Sequence, residues 1–303
     1  MPPSAGVARL SVLAAALLFS TGGAAIKGTA MTGIQVAGFR SAVAAAAIAL
    51  LLPAARRGFG LSLLPAALAY AVTLFSFVVA TKLTTSASAI FLQSTAPLWV
   101  LVLAPVLLGE PIRRAELPFV ALAAAGLTLV FLGSRDPVAT APRPELGNAL
   151  ALASGLSYAL LMILMRRLSR AEGARDRSLA AMVLGNAITF LACLPFAFPV
   201  VGATVQDAAA IAYLGVVQIG LAYWLFARGL RALSALEVSL LALVEPVLNP
   251  LWTWILHGER PGALALTGGA VMIAALAARA LLDRRPRPPG QPGPGSATDA
   301  ERA

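Results

Sequence analysis

Ten apolar stretches separated by short polar breaks run along this chain. They fall at about 7–26, 33–53, 62–81, 84–108, 115–133, 146–168, 178–199, 206–229, 234–257 and 262–282. A helix rises 1.5 Å per residue, so roughly 20 apolar residues cross a hydrocarbon layer about 30 Å thick. The connections are short, which makes consecutive helices antiparallel neighbours. The pattern therefore predicts an all-α membrane protein with ten transmembrane helices. The first stretch, with Arg9 ahead of most of it, has some features of a signal peptide. Nine more spans follow, so a retained helix is predicted. From Asp283 the chain turns Pro- and Gly-rich (Arg285-Pro286-Arg287-Pro288-Pro289-Gly290), and 283–303 is predicted to be a disordered tail on the cytoplasmic side.

Composition excludes other classes. Of 303 residues, 59% are hydrophobic and only 12% charged, with mean hydropathy +0.85. A soluble chain is about half apolar and about one quarter charged. One cysteine, Cys193, and one histidine, His257, leave no disulfide framework and no Cys- or His-built metal site. No cofactor is predicted. Nothing matches G-x-x-x-x-G-K-[ST], so ATP does not drive this chain. A membrane-embedded enzyme would need paired His or Asp, a Ser–Lys or Ser–His pair, or H-E-x-x-H, and none is present.

The net charge of +10 raises the question of nucleic acid. The basic residues occur in ones, twos and threes between apolar stretches, with no basic run carrying interleaved aromatics. That distribution belongs to membrane topology. With the N-terminus inside, 17 of the 23 Lys and Arg fall on the cytoplasmic side. Lys27, Lys82, Arg135, Arg143 and Arg260 fall outside, and Arg40 lies within the second span. Both termini are predicted to be cytoplasmic, in a multi-pass protein of the bacterial inner membrane.

Ten spans divide into two halves of five, 7–133 and 146–282, and an odd number per half makes the halves run oppositely. The residues support a repeat. Pro97 stands ahead of Gly109-Glu110 as Pro246 stands ahead of Gly258-Glu259, with an offset of 149 throughout. At the same offset Lys82 matches Arg231, and Phe75-Ser76-Phe77 matches Trp224-Leu225-Phe226. Inverted halves that exchange conformations are how a secondary transporter alternates access.

At these residues the chain resembles the drug/metabolite transporter superfamily, of the EamA-like type. The carrying stretches are Thr85-Ser86-Ala87 leading to Pro97, Leu107-Leu108-Gly109-Glu110-Pro111, Ser234-Ala235, Glu245-Pro246-Val247 and His257-Gly258-Glu259. Ala25-Ile26-Lys27 and Phe39-Arg40 also fit. The resemblance covers about 7–282. It implies a ten-helix carrier of inverted five-helix repeats that moves amino acids, other metabolites or drugs, usually outward. Amino acid exporters, including exporters of aromatic amino acids, are the nearest branch. Nucleotide-sugar or sugar-phosphate exchange and multidrug transport are the alternatives on the same fold. Anionic substrates would favour several intramembrane cations, and Arg40 alone qualifies.

Glu245 is the sharpest candidate. It lies near the middle of span nine, where an ionised carboxylate is costly and usually faces a cavity or a partner. Pro246 removes a backbone hydrogen bond and predicts a kink. At helical spacing Glu245, Asn249 and Trp252 share a face, and an acceptor, an amide and a ring suit a small amphipathic solute. A structural carboxylate capping the freed backbone is the other reading. Glu237, two turns earlier, could relay a proton. Ser234 and Glu237 also form an S-x-x-E capping box, which explains both. Proton coupling stays open. Pro97 predicts a second kink, in span four, and Gln93 and Ser94 one turn before it suit either a solute site or interhelical hydrogen bonds.

Trp99, Phe75, Tyr158, Tyr223 and Trp224 are candidate aromatic lining or else packing and interface residues, and Trp254 reads as an anchor. Arg40 is placed to snorkel, to meet a carbonyl at a helix break, or to hold a substrate carboxylate. Glu110 and Glu259 read as loop or helix-terminus residues outside the site, and His257 as an interface residue. The predicted partners are a small-molecule substrate and the lipid bilayer, with no nucleic acid.

Overall fold

A computed structural model describes residues 4–108, 117–133, 138–168, 174–229, 241–242 and 244–282. Among these, regular structure is helical apart from an isolated bridge between Val138 and Ala141. Six rods are long and apolar enough to cross a membrane: Gly6–Lys27, Gly33–Leu51, Leu61–Leu83, Pro144–Met165, Arg177–Phe196 and Val205–Phe226. Two shorter apolar helices, Leu117–Leu132 and Ala263–Ala278, take the places of spans five and ten. Span four is divided, and of span nine the described residues are 241–242 and 244–257. The chain is a multi-pass, all-helical membrane protein.

Rod one consists of α1 (Ala5–Ser20) and α2 (Gly22–Lys27). Thr21 separates them, and Ser20 and Thr21 turn their hydroxyls onto Leu17 O and Leu18 O at 2.7 Å. Such back-bonding loosens a helix, and Gly22-Gly23 follows directly. The second rod, α3 (Gly33–Leu51), opens on a reciprocal cap: Gln35 N–H donates to Thr32 Oγ1 and Thr32 N–H to Gln35 Oε1. α4 (Leu64–Leu83) carries Pro65 in its first turn, where no intrahelical donor is lost.

Span four breaks into α5 (Ser86–Gln93) and α6 (Ala96–Leu108). Thr85 caps α5 by accepting from Ser88 N–H. Ser94 and Thr95 form the break, with Thr95 Oγ1 donating to Leu92 O at 2.6 Å. Pro97 then sits in the first turn of α6, so the interruption comes just before the proline. A proline is tolerated there, because an N–H in the first turn has no intrahelical acceptor to lose.

The remaining rods are α7 (Leu117–Leu132), α8 (Pro144–Leu168), α9 (Ala174–Cys193), α10 (Val205–Ala212), α11 (Ala222–Gly229), α12 (Val244–His257) and α13 (Ala263–Leu282). Between α10 and α11 the helix widens into a π-helix over Tyr213–Leu221. π-segments are rare and concentrate at functional sites. α12 contains Pro246 and Pro250. Arg231, Ser234 and Glu237 lie outside the described residues, as does Glu110.

The packing has a two-fold correspondence in its list of partners. α4 packs on α8, and α11 packs on α1. α5 and α6 pack on α8, and α12 packs on α1 and α2. α4 meets α9 while α3 meets the π-segment, and α3–α9, α5–α12 and α7–α13 pair across the halves. Lipid is as apolar as leucine, so close backbone approach and interhelical hydrogen bonds hold such a bundle together. At the α7–α13 crossing, a Cβ on Gly126 would stand 2.7 Å from Gly268 O, and one on Gly268 would meet Gly126 O. Only glycine at both places lets the two backbones touch.

Candidate functional site

Polar side chains from five rods meet in one cavity. Its lining comprises Ala16 and Phe19 of α1, Arg40 of α3, Thr73, Leu74 and Phe77 of α4, Gln93 of α5 and Tyr158 of α8. Gln218 and Ile219 of the π-segment, Tyr223 and Phe226 of α11, Ala242 ahead of α12 and Glu245 of α12 close it. The volume is about 120 Å³. By the same measure one water needs roughly 10–15 Å³, so a small solute fits.

The polar half of the wall is held by a chain of bonds. Gln93 Nε2 donates to Ser154 Oγ at 2.7 Å, and Ser154 Oγ donates to Thr73 O at 3.0 Å. Thr73 Oγ1 donates to Ser157 Oγ at 3.0 Å. These bonds tie α4, α5 and α8 together and fix where Gln93 and Thr73 sit. Arg40 is only 2% exposed, and its Nε has no hydrogen-bond partner among the described residues. Gln218 gives Nε2 to Phe19 O at 3.4 Å and leaves Oε1 without a partner among the same residues. Glu245 lies half-buried near the start of the described run of α12, and residues 241–242 just ahead of it are helical too. Among the described residues neither Arg40 nor Glu245 is ion-paired.

Aromatic rings make the apolar half. Phe19 meets Tyr223 edge-on at 5.0 Å and Phe226 at 6.3 Å, and Tyr70 meets Tyr223 at 5.9 Å. The cavity thus offers one cation, one carboxylate, two amides and a cluster of rings.

Five of the residues singled out from the sequence share this lining: Arg40, Gln93, Tyr158, Tyr223 and Glu245. The others stand elsewhere. Ser94 donates to Ile90 O at the helix break, and Trp99 Nε1 donates to Thr95 Oγ1 at 3.2 Å. Phe75 packs against the apolar core. Trp252 Nε1 donates to Ser20 Oγ at 2.9 Å, tying α12 to the end of α1. Asn249 is fully buried and accepts a hydrogen bond from Ser86 Oγ. Trp224 is 38% exposed with Arg228 stacked over its ring, and Trp254 is exposed. Thr73, Phe77, Phe19, Phe226 and Gln218 are lining residues that the sequence did not mark as site residues. A glutamine within span eight was the one signal available for Gln218.

Glu259 stands just past the end of α12 and is buried: its side chain is 1% exposed, and Oε2 lies 3.0 Å from Lys27 Nζ, itself 5% exposed. His257 Nε2 lies 2.8 Å from Ala24 O, in hydrogen-bond contact with α2. The helix ends of rods one and nine are thus bound to each other, a tertiary fact that span ends do not reveal.

Comparison with known proteins agrees with this architecture. Residues 145–278 match the model of the EamA-like transporter family. The chain is 30% identical over 205 residues to an uncharacterized transporter of Archaeoglobus fulgidus, covering 67% of this chain and 70% of that one. It is 33% identical over 184 residues to an uncharacterized protein of Pseudomonas aeruginosa, covering 58% and 60%. A crystal structure at 24% identity superposes with a TM-score of 0.62 over 91% of this chain and 98% of the other, a likeness of fold. The chain belongs to the EamA-like transporter family.

Proposed function

We propose that this protein is a secondary transporter that exports small metabolites, amino acids including aromatic ones, across the bacterial inner membrane by alternating access. The cavity carries the reading. Arg40 and Glu245 line the cavity beside aromatic rings and have no ion-pair partner among the described residues, which matches a zwitterion with an apolar side chain. A buried Nε–H with no acceptor among those residues is costly, and a substrate carboxylate would satisfy it. Glu245 takes the ammonium group, and Gln93 and Gln218 fix the orientation. The match to a transporter family supports a carrier.

The packing supports an inverted repeat of 7–133 and 146–282, because the contacts of spans three, four and seven with spans six and three have counterparts in those of spans eight, nine and two with spans one and eight. Exchange of conformation between the halves then turns the cavity from one side to the other. The excess of Lys and Arg places both termini in the cytoplasm. Nucleotide-sugar, sugar-phosphate or multidrug transport is the second reading. Arg40 is the one cation in the described lining, which favours a single carboxylate over a phosphorylated substrate.

Reconstituted protein tests this. Proteoliposomes loaded with unlabelled amino acids should exchange them for labelled ones, with and without a pH gradient. Exchange of sugar phosphates in place of amino acids would favour the second reading. Acceleration by a pH gradient would add proton coupling.

A further inference from the structure

We propose that Lys27 and Glu259 form a latch that closes one end of the bundle, and that each transport cycle must break it. This rests on the carrier reading, since only a carrier has to open there. The pair joins the two halves of the chain. Lys27 ends α2, and Glu259 follows α12. The ammonium also donates to Thr84 O at 2.7 Å, just ahead of α5, and to Thr140 O between α7 and α8. Glu259 Oε1 accepts the backbone N–H of Ser86, the first residue of α5, at 2.6 Å. Beneath the pair, Ser86 Oγ donates to Asn249 Oδ1, and Gly23 of α2 packs against both side chains. A Cβ on Gly23 would collide with them, so α2, α5 and α12 meet here with no spare space.

Position gives the contact its function. At 1.5 Å per residue, Lys27 lies roughly 12 Å beyond Phe19 and Ser86 roughly 10 Å from Gln93. The three elements that carry the latch are those that continue into the cavity wall. Two of them are short pieces set off by helix breaks, α2 by Thr21 and α5 by Ser94–Thr95. Each can tilt without dragging its whole rod. A buried ion pair is also a poor choice for stability alone, because apolar packing does as well, whereas it suits a contact with two discrete states.

Two cross-links test the latch in a Cys193→Ala background. One pair is Lys27→Cys with Glu259→Cys, bridged by a short bifunctional thiol reagent. The second, Ser86→Cys with Asn249→Cys, keeps the ion pair and is closed by oxidation. Each is read in two ways. Substrate exchange should fall by about tenfold or more when the bridge forms and return on its removal. A third cysteine at Gln93 should stop reacting with an impermeant reagent from the Lys27 side, and this readout needs no known substrate. Bridged protein that exchanges substrate at the unbridged rate, or leaves Gln93→Cys equally reactive, would overturn the latch. Wild-type protein that exchanges no amino acid while the bridge still controls labelling would overturn the proposed substrate and leave the latch standing.

Discussion

Glu245 is the residue whose replacement separates the roles open to a buried carboxylate. Glutamine keeps its shape and removes its charge. If Glu245 holds a substrate ammonium, Glu245→Gln should raise KM at every pH by about tenfold or more, since a hydrogen bond to a charged group is worth roughly 1.5–3 kcal/mol. If it carries a proton, the variant should lose the response to a pH gradient while exchange survives. Substrate binding is the expected outcome, because Glu245 is the one carboxylate in the described lining. Wild-type KM and rate in the variant would refute both roles. Gln218→Leu gives a second test at this scale. It removes a buried oxygen that has no partner among the described residues. Discrimination between an amino acid and its deaminated analogue should shrink, while an unchanged preference would place Gln218 outside the contact. Glu245, Arg40 and Gln93 were legible in the sequence for one reason. A charged or amide group in mid-span has few low-cost places other than an interior cavity. Aromatic residues carry no such constraint, so Trp99, Phe75 and Trp224 could not be sorted from Tyr158 and Tyr223 without the structure.

At the scale of elements, apolar stretch length predicted where rods run, and the breaks within rods depended on details that length does not carry. Span four divides at Ser94–Thr95, directly ahead of Pro97, and hydroxyls of these two residues bond back to Ile90 O and Leu92 O. The π-segment over Tyr213–Leu221 winds span eight more widely than an α-helix, which an apolar stretch does not reveal. Neighbouring residues on a helix point about 100° apart, so Tyr223 lines the cavity while Trp224 is exposed. Small residues carry the crossings. Gly268→Leu should force α13 away from α7, where Gly126 O and Val130 N leave no room for a side chain. An overpacked contact costs about 1–3 kcal/mol, so Tm in detergent should drop measurably. An unchanged Tm would mean that the α7–α13 contact adds little to stability.

For the whole molecule, the inverted repeat makes a demand that no single residue makes. Equivalent points of the two halves must lie on opposite faces of the membrane. The second rod of each half supplies such points. Arg57 follows α3, Val201 follows α9, and both are exposed. Arg143 lies between α7 and α8 and is exposed as well. Cysteines at these three positions, in a Cys193→Ala background, can be labelled in intact cells with an impermeant reagent. Cys193 is buried, and its Cβ already contacts Gly38, so alanine keeps that packing. From Arg57 to Arg143 the chain crosses three times, and from Arg143 to Val201 twice. Five crossings therefore separate Arg57 from Val201, an odd number. Labelling should succeed at Arg143→Cys and Val201→Cys and fail at Arg57→Cys until the cells are opened. The mirror pattern, with Arg57→Cys alone labelled, would keep the repeat and reverse the orientation read from the basic residues. Arg57→Cys and Val201→Cys labelled from the same side would remove the inverted repeat, and alternating access by exchange of halves would go with it.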